Sequence, residues 1–225
     1  MTISGQHKSK SNPSNDNGDY KAVIHRDALF LIVTGHSRMI ADGVDYSDTD
    51  EEDITGILTT CIDEYINCLS SPDWTKHFYV HEELRENTNG KKGKRRKRVD
   101  IVCVLTGRKP QKRMKFEAKR LKRTVLTAGR YLGKEGLGEF IAGNYAKTDD
   151  DAGMLGYIQS DSCDHWADKI SNALNNGNDV HLTDEGPWQK ACLENIDNCY
   201  TTRHNRPTVG RKLLVYHLLL DFVKQ

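Results

Sequence analysis

A mixed α/β fold is predicted for this 225-residue chain by three observations. Asp50 to Ser70 carries apolar residues at helical spacing. Val99 to Leu105 reads VDIVCVL, a nearly continuous β-branched run of the kind found in strands covered on both faces. Along the chain, helix-like and strand-like segments follow one another as helix, three strands, helix, strand, helix and strands, with no internal repeat, so helices must pack on a mixed sheet. The length fits one sizeable domain with a real core.

Residues 1–20 are rich in Ser, Asn, Lys and Gly without periodicity, which predicts a disordered polar tail ahead of a single domain over 21–225. The tail lacks the apolar core of a signal peptide, and no stretch approaches the roughly 20 apolar residues of a membrane span. Six scattered cysteines without a CxxC pair argue for a reducing compartment. A cytoplasmic protein with no membrane partner is expected.

Ala28 to Val33 is an apolar run that fits either a short buried strand or a helical turn, because periodicity does not decide at that length. In the Asp50 to Ser70 segment, Ile54, Leu58, Cys61, Ile62, Tyr65 and Leu69 fall on one face, with Thr49 and Asp50 as candidate N-caps. Continuing that stripe backwards reaches Glu51, whereas Glu52 lies about 100° further round. Glu51 can therefore face inward and Glu52 should face solvent. After the turn signal Ser70-Ser71-Pro72-Asp73, His77 to Leu84 reads as a strand and Lys91 to Arg98 as a basic loop.

Within VDIVCVL the one charge is Asp100. The loop Thr106 to Lys112 holds a Gly and a Pro, and Arg113 to Arg120 then alternates, so the two runs can pair as an antiparallel hairpin. A period of two puts Lys115, Glu117 and Lys119 on one face of the second strand and Phe116 and Ala118 on the other. Gly133 to Ala146 reads as a helix with small residues on one side, Met154 to Gln159 as a short strand and Asp164 to Leu174 as a helix. Asn198 to His204 and Leu213 to Leu220 follow as strands separated by Arg206-Pro207.

The formal net charge of +1 conceals a strong segregation. Between Lys91 and Arg130 stand 17 of the 33 Lys and Arg but only two of the 32 acidic residues, Asp100 and Glu117. A segment this positive attracts a polyanion such as a nucleic-acid backbone, whose condensed counterions are released on binding. Two carboxylates inside it would repel phosphate unless a divalent cation sat between them, and that cation would convert the pair into a hydrolytic site. Hard oxygen ligands from Asp100 and Glu117 and a nearby ammonium from Lys119 meet the requirements of a metal-dependent phosphodiesterase. Glu51 could complete the shell from the flanking helix.

A helix carrying an acid, followed by strands carrying VDIV and FEAK, resembles the PD-(D/E)xK nuclease superfamily, with Val99 standing where the motif has proline. The resemblance covers Glu51 to about Gln159. It implies a restriction-endonuclease-like mixed β-sheet flanked by helices, Asp100 and Glu117 as metal ligands, Lys119 as the water-activating lysine, Glu51 as an accessory acid and ligand, and Gln159 as a later polar contact. The implied cofactor is Mg²⁺, with Mn²⁺ as substitute. The implied reaction is phosphodiester hydrolysis in DNA rather than RNA, in defence against foreign DNA or in repair and recombination. A non-catalytic nucleic-acid-binding subunit of a larger complex is the alternative; an ATPase, a helicase or a second copy of the chain is the protein partner expected beside DNA.

Lys94, Arg95, Arg96, Lys97 and Arg98 in the loop, and Arg120, Lys122 and Arg123 after the second strand, are the expected backbone contacts. Blander readings stand beside these. Asp100 and Glu117 could lie on a solvated strand edge, Glu51 could compensate a helix dipole, and KKGKRRKR could be a solvated loop or an import-like basic run. GLGEFIAGNYA lacks the ending of a phosphate loop and fits close helix packing better. His204-Asn205-Arg206 could reach a phosphate or form a surface turn, and the spacing of Cys163, His165, Cys192 and Cys199 matches no common zinc finger.

Overall fold

A computed structural model of the chain describes residues 16–85, 96–107, 109–123, 127–176 and 181–223. Of the tail expected over residues 1–20, residues 1–15 lie outside these residues, as does most of the basic loop, and residues 16–20 are helical and not tail. The first helix, α1, spans Asp16–Ala41, so the run Ala28 to Val33 is part of a long helix and not a strand. Its apolar side buries Ile24, Ala28, Leu29, Leu31, Ile32 and Met39, and Gly43, at φ +68°, ends the chain's turn after it.

Helix α2 spans Glu51–Ile66 and buries Ile54, Leu58, Cys61 and Ile62, as its spacing predicts. Leu69 does not share that face; the helix has already ended at Ile66, and Leu69 is fully exposed. The two helices pack closely at Gly35, where a Cβ would stand 2.5 Å from Ile62 Cγ1 and 3.0 Å from Leu58 Cδ1.

A 3₁₀ turn at Asp73–His77 leads into β1, Phe78–Arg85. Then come β2 (Arg98–Leu105), β3 (Lys112–Leu121), the short helices α3 (Thr127–Leu132) and α4 (Leu137–Ile141), β4 (Asp151–Ile158) and α5 (Cys163–Asn176). The chain ends with β5 (Gln189–Lys190), β6 (Cys199–Arg206) and β7 (Arg211–Asp221). The strands form one seven-stranded mixed sheet in the order β1-β2-β3-β4-β7-β6-β5. Pairing is antiparallel at both flanks and parallel for β3–β4 and β4–β7 at the centre.

Apolar clusters fill both faces. On one side α1 and α2 cover Ile101, Cys103, Met114, Phe116, Ala118 and Leu155. On the other, Tyr131, Phe140, Trp166 and Ile170 cover Val99, Val102, Leu121 and Met154. This double cover explains why β2 and β4 read as near-continuous apolar runs. No helix among the described residues is long and apolar enough to cross a membrane.

The helix expected over Gly133 to Ala146 shrinks to the five residues of α4. Its glycines serve close backbone approach instead: a Cβ at Gly133 would lie 2.1 Å from Gly129 O, and one at Gly136 would lie 2.3 Å from Tyr131 O. His204-Asn205-Arg206 is not a surface turn reaching outward. His204 and Arg206 are buried, and the Arg206 guanidinium donates to Ala146 O at 2.8 Å and Asp149 O at 2.6 Å, pinning the loop before β4.

Candidate active site

The register of the sheet creates a notch beside β3. Strand β2 pairs with β3 only from Leu105–Lys112 to Ile101–Phe116, while β4 continues along the other edge of β3 to Leu121–Ile158. Past Phe116 the amides of Ala118 and Arg120 on the β2 side therefore lack a strand partner, and a buried amide must find another acceptor. Asp100 Oδ2 takes the Ala118 N–H at 2.7 Å, and Glu51 Oε2 takes the Arg120 N–H at 2.9 Å. Two carboxylates, one from β2 and one from the start of α2, thus stand in for a missing length of strand. That is why an Asp sits inside VDIVCVL.

Lys119 and Glu117 share the face predicted for them. Lys119 Nζ bonds Glu51 Oε1 at 2.9 Å and Glu117 Oε1 at 3.0 Å, and it also donates to Ala118 O. Glu117 is only 4% exposed, and its Oε2 has no hydrogen-bond partner among the described residues. Glu51 faces inward and Glu52 faces solvent, as the helical stripe requires. Glu51, Asp100, Glu117 and Lys119 therefore converge from α2, β2 and β3.

Burial pushes the Glu117 carboxyl up to about 8, helped by the neighbouring Asp100 charge and opposed by Lys119. Burial likewise raises Asp100 to about 6, against the pull of Lys119 and the Ala118 amide. For Lys119, burial disfavours the ammonium, but Glu117, Glu51 and Asp100 outweigh that and hold its pKa above the ordinary lysine range. At neutral pH the site thus holds a fixed ammonium and a carboxyl pair that retains a proton. Lys119 in this state is a hydrogen-bond donor and a positive charge, not a proton acceptor.

No group of three or more His, Cys, Asp and Glu among the described residues is arranged to hold a metal ion. In the notch the Lys119 ammonium is bonded to the Glu51 and Glu117 oxygens that would otherwise be free to converge. The donor set nevertheless suits a hard cation: three carboxylates, one with a buried oxygen lacking a partner and a proton that a cation would displace. Cys163, Cys192 and Cys199 are free thiols in different surroundings, with Cys199 in the core and Cys192 exposed.

A cavity of about 320 Å³ opens onto the notch, lined by Asp50, Glu51, Glu52, Lys119, Arg120 and Arg130. Arg130, exposed on α3, was not singled out by any motif. Gln159 lies behind the notch and not within it. Its Nε2 donates to Tyr46 O at 2.6 Å and Thr49 O at 2.8 Å, which fixes the segment leading into α2 and so the place of Glu51. Tyr157 OH meets Thr55 Oγ1 at 3.0 Å from below.

The expected phosphate contacts carry acidic partners. Arg120 pairs with Asp50 at 2.9 Å, Lys122 with Asp48, and Arg123 with Asp161 through Nε at 2.8 Å. Lys97 Nζ lies 2.8 Å from the buried Glu139, Arg98 pairs with Glu83, and Arg96 is half-buried. Lys94 and Arg95 lie outside the described residues. Comparison with protein-family models, with curated proteins and with solved structures finds no match to this chain.

Proposed function

We propose that this chain is a metal-dependent nuclease of the PD-(D/E)xK type, hydrolysing phosphodiester bonds in DNA on a restriction-endonuclease-like core. The convergence of Glu51, Asp100 and Glu117 around Lys119, in a notch of the sheet that opens to solvent, is the observation that carries this reading. Glu117 Oε2, buried without a hydrogen-bond partner among the described residues, would be a donor atom for a cation seated there.

Asp100 and Glu117, with Glu51 as accessory ligand, would hold Mg²⁺, or Mn²⁺ in its place. The chemistry such an ion supplies when bound is polarisation of a phosphoryl oxygen and a more acidic water. Lys119, held protonated by its three carboxylates, would orient the attacking water through its N–H groups and offset the negative charge that builds on the phosphoryl oxygens. Gln159 acts through the segment before α2 and is a positioning residue. Arg130, for which no ion-pair partner is found among the described residues, would meet a phosphate at the mouth of the cavity.

A cytoplasmic role in cutting foreign DNA fits such a stand-alone activity; repair or recombination is the rival use of the same chemistry. The experiment is incubation of the purified protein with plasmid, linear duplex, single-stranded DNA and RNA, each with Mg²⁺, Mn²⁺ or EDTA. Cleavage of DNA that needs the divalent ion and is lost in Glu117→Ala and Lys119→Ala is the expected result. Binding without cutting under every ion would leave a nucleic-acid-binding subunit of a larger assembly, and no binding at all would end both readings.

A further inference from the structure

Among the described residues, Lys97, Arg98, Arg120, Lys122 and Arg123 each face an Asp or Glu, so positive charge without such a partner lies in another part of the basic segment. It collects in a cavity of about 850 Å³ at the end of the sheet where β3, β4 and β7 begin. Five Lys and Arg line it, Arg85, Lys112, Arg113, Lys115 and Arg211, against three carboxylates, Asp149, Asp150 and Asp151. Each carboxylate is already engaged: Lys115 Nζ lies 2.8 Å from Asp149, Arg211 Nε 3.4 Å from Asp150, and His25 Nε2 3.0 Å from Asp151. Arg85, Lys112 and Arg113 have no carboxylate partner among the described residues.

We propose that this cavity seats the phosphodiester backbone of the DNA that enters the notch; the identity of the polyanion rests on the nuclease reading above. Two features favour a backbone over a small anion. The cations come from three separate strands and line a cavity of about 850 Å³, far more room than one phosphate fills. They also share a strand with the site: Arg113, Lys115, Glu117 and Lys119 alternate onto one side of β3, and the four-residue step from Arg113 to Glu117 spans about 13 Å. That distance is about four base-pair rises of duplex.

Lys115 gives the seat a fixed floor. It is 7% exposed and held by Asp149, whose own loop is pinned by Arg206, so this cation is set in place before any ligand arrives. Arg85, Lys112 and Arg113, more exposed than Lys115, complete the seat.

The test is fluorescence anisotropy with a labelled duplex of about 20 base pairs in EDTA, between about 50 and 200 mM salt, where each lost phosphate contact flattens the log–log salt slope by about 0.9. The triple variant Arg85→Ser/Lys112→Ser/Arg113→Ser is expected to bind at least about tenfold more weakly, with the slope reduced by about 2–3. Lys122→Ser/Arg123→Ser, whose cations are already paired, should lose less. A triple variant with wild-type affinity and slope overturns the seat, as does a larger loss in the Lys122/Arg123 pair. Displacement of the duplex by millimolar inorganic phosphate alone would mark a small-anion pocket and also overturn it. If the triple variant does not give a wild-type melting curve, Lys112→Gln and Arg113→Gln are measured singly against the same criterion. A protein that binds through this seat but never cuts with Mg²⁺ sinks the nuclease reading and leaves the seat standing; one that cuts while the triple variant binds normally does the reverse.

Discussion

Lys119 holds together a site that would otherwise repel itself, since Glu51, Asp100 and Glu117 all lie close to it. Replacing Lys119 with Ala removes the ammonium and leaves buried carboxylates without a counter-charge. A loss of roughly 3 kcal/mol at pH 8 is expected in urea unfolding, together with a fall in cleavage of about a hundredfold or more. Added Mg²⁺ should recover part of the lost stability, because a cation can take over the charge balance; a variant as stable as wild type in EDTA would show that the cluster is not electrostatically coupled. Glu117 makes the opposite case. Its folded-state pKa of about 8 exceeds the ordinary carboxyl value, so its favourable contribution is complete at low pH and is lost as pH rises through about 8. Glu117→Gln fixes the neutral form. In EDTA at pH 8.5 the variant should unfold roughly 1–3 kcal/mol harder than wild type and be nearly indistinguishable at pH 5, while cleavage and any Mg²⁺-induced rise in Tm disappear. A lower Tm at pH 8.5 would refute the raised pKa.

Between residues and fold lie the elements that aim them, and here Gln159 matters most. From the end of β4 its amide holds Tyr46 O and Thr49 O, and the next turn of chain is the start of α2 that carries Glu51. Gln159→Leu should cost about 1–3 kcal/mol through two lost hydrogen bonds. Steady-state kinetics should show kcat falling several-fold with little change in KM, since no substrate contact is removed; an unchanged kcat would deny the positioning role. The elements that build the notch were legible because each carries its own local signature. The stripe of α2 orients Glu51, the β-branched run defines β2, and alternation on β3 separates Glu117 and Lys119 from Phe116 and Ala118. Helix α1 was not legible as a helix: its buried face includes His25 and Asp27 among the apolar residues, which blurs the period. Nor could spacing reveal that Arg120, Lys122 and Arg123 are met by Asp50, Asp48 and Asp161, since these pairs join segments about 40 to 75 residues apart. The same limit hides the central place of β7, because the parallel pairing of β4 with β7 leaves no turn to mark it.

On the scale of the whole molecule, pH dependence is set by a few buried groups of opposite sense, because exposed ion pairs contribute little. On one side of the sheet His217 is fully buried and neutral, its ring nitrogens 3.1 Å from Tyr131 OH and 2.7 Å from Thr202 Oγ1. Burial drives its pKa well below the ordinary value, and burial lowers His36 too. Both groups take up protons more readily in the unfolded chain, so their contribution is intact above about pH 6.5 and is lost as pH falls below it. Asp100 and Glu117, raised to about 6 and about 8, act the other way: their contribution is intact below about pH 4 and is lost as pH rises through those values. Between about pH 4.5 and 6.5 the two sets oppose one another, so the stability of the protein in EDTA should vary less than either set alone would make it. Above about 6.5 the histidines are spent and Glu117 remains, so stability should fall toward pH 8.5 with a slope that approaches but does not reach about 1.4 kcal/mol per pH unit. Urea unfolding at pH 5, 6, 7, 8 and 8.5 measures this directly. With 10 mM Mg²⁺ the decline should flatten, since a cation favours the ionised carboxylates, and in Glu117→Gln it should vanish with or without the ion. A wild-type curve that rises between pH 7 and 8.5 without metal would mean that the notch is wet and its carboxylates ordinary, and the argument for a cation there would fall with it.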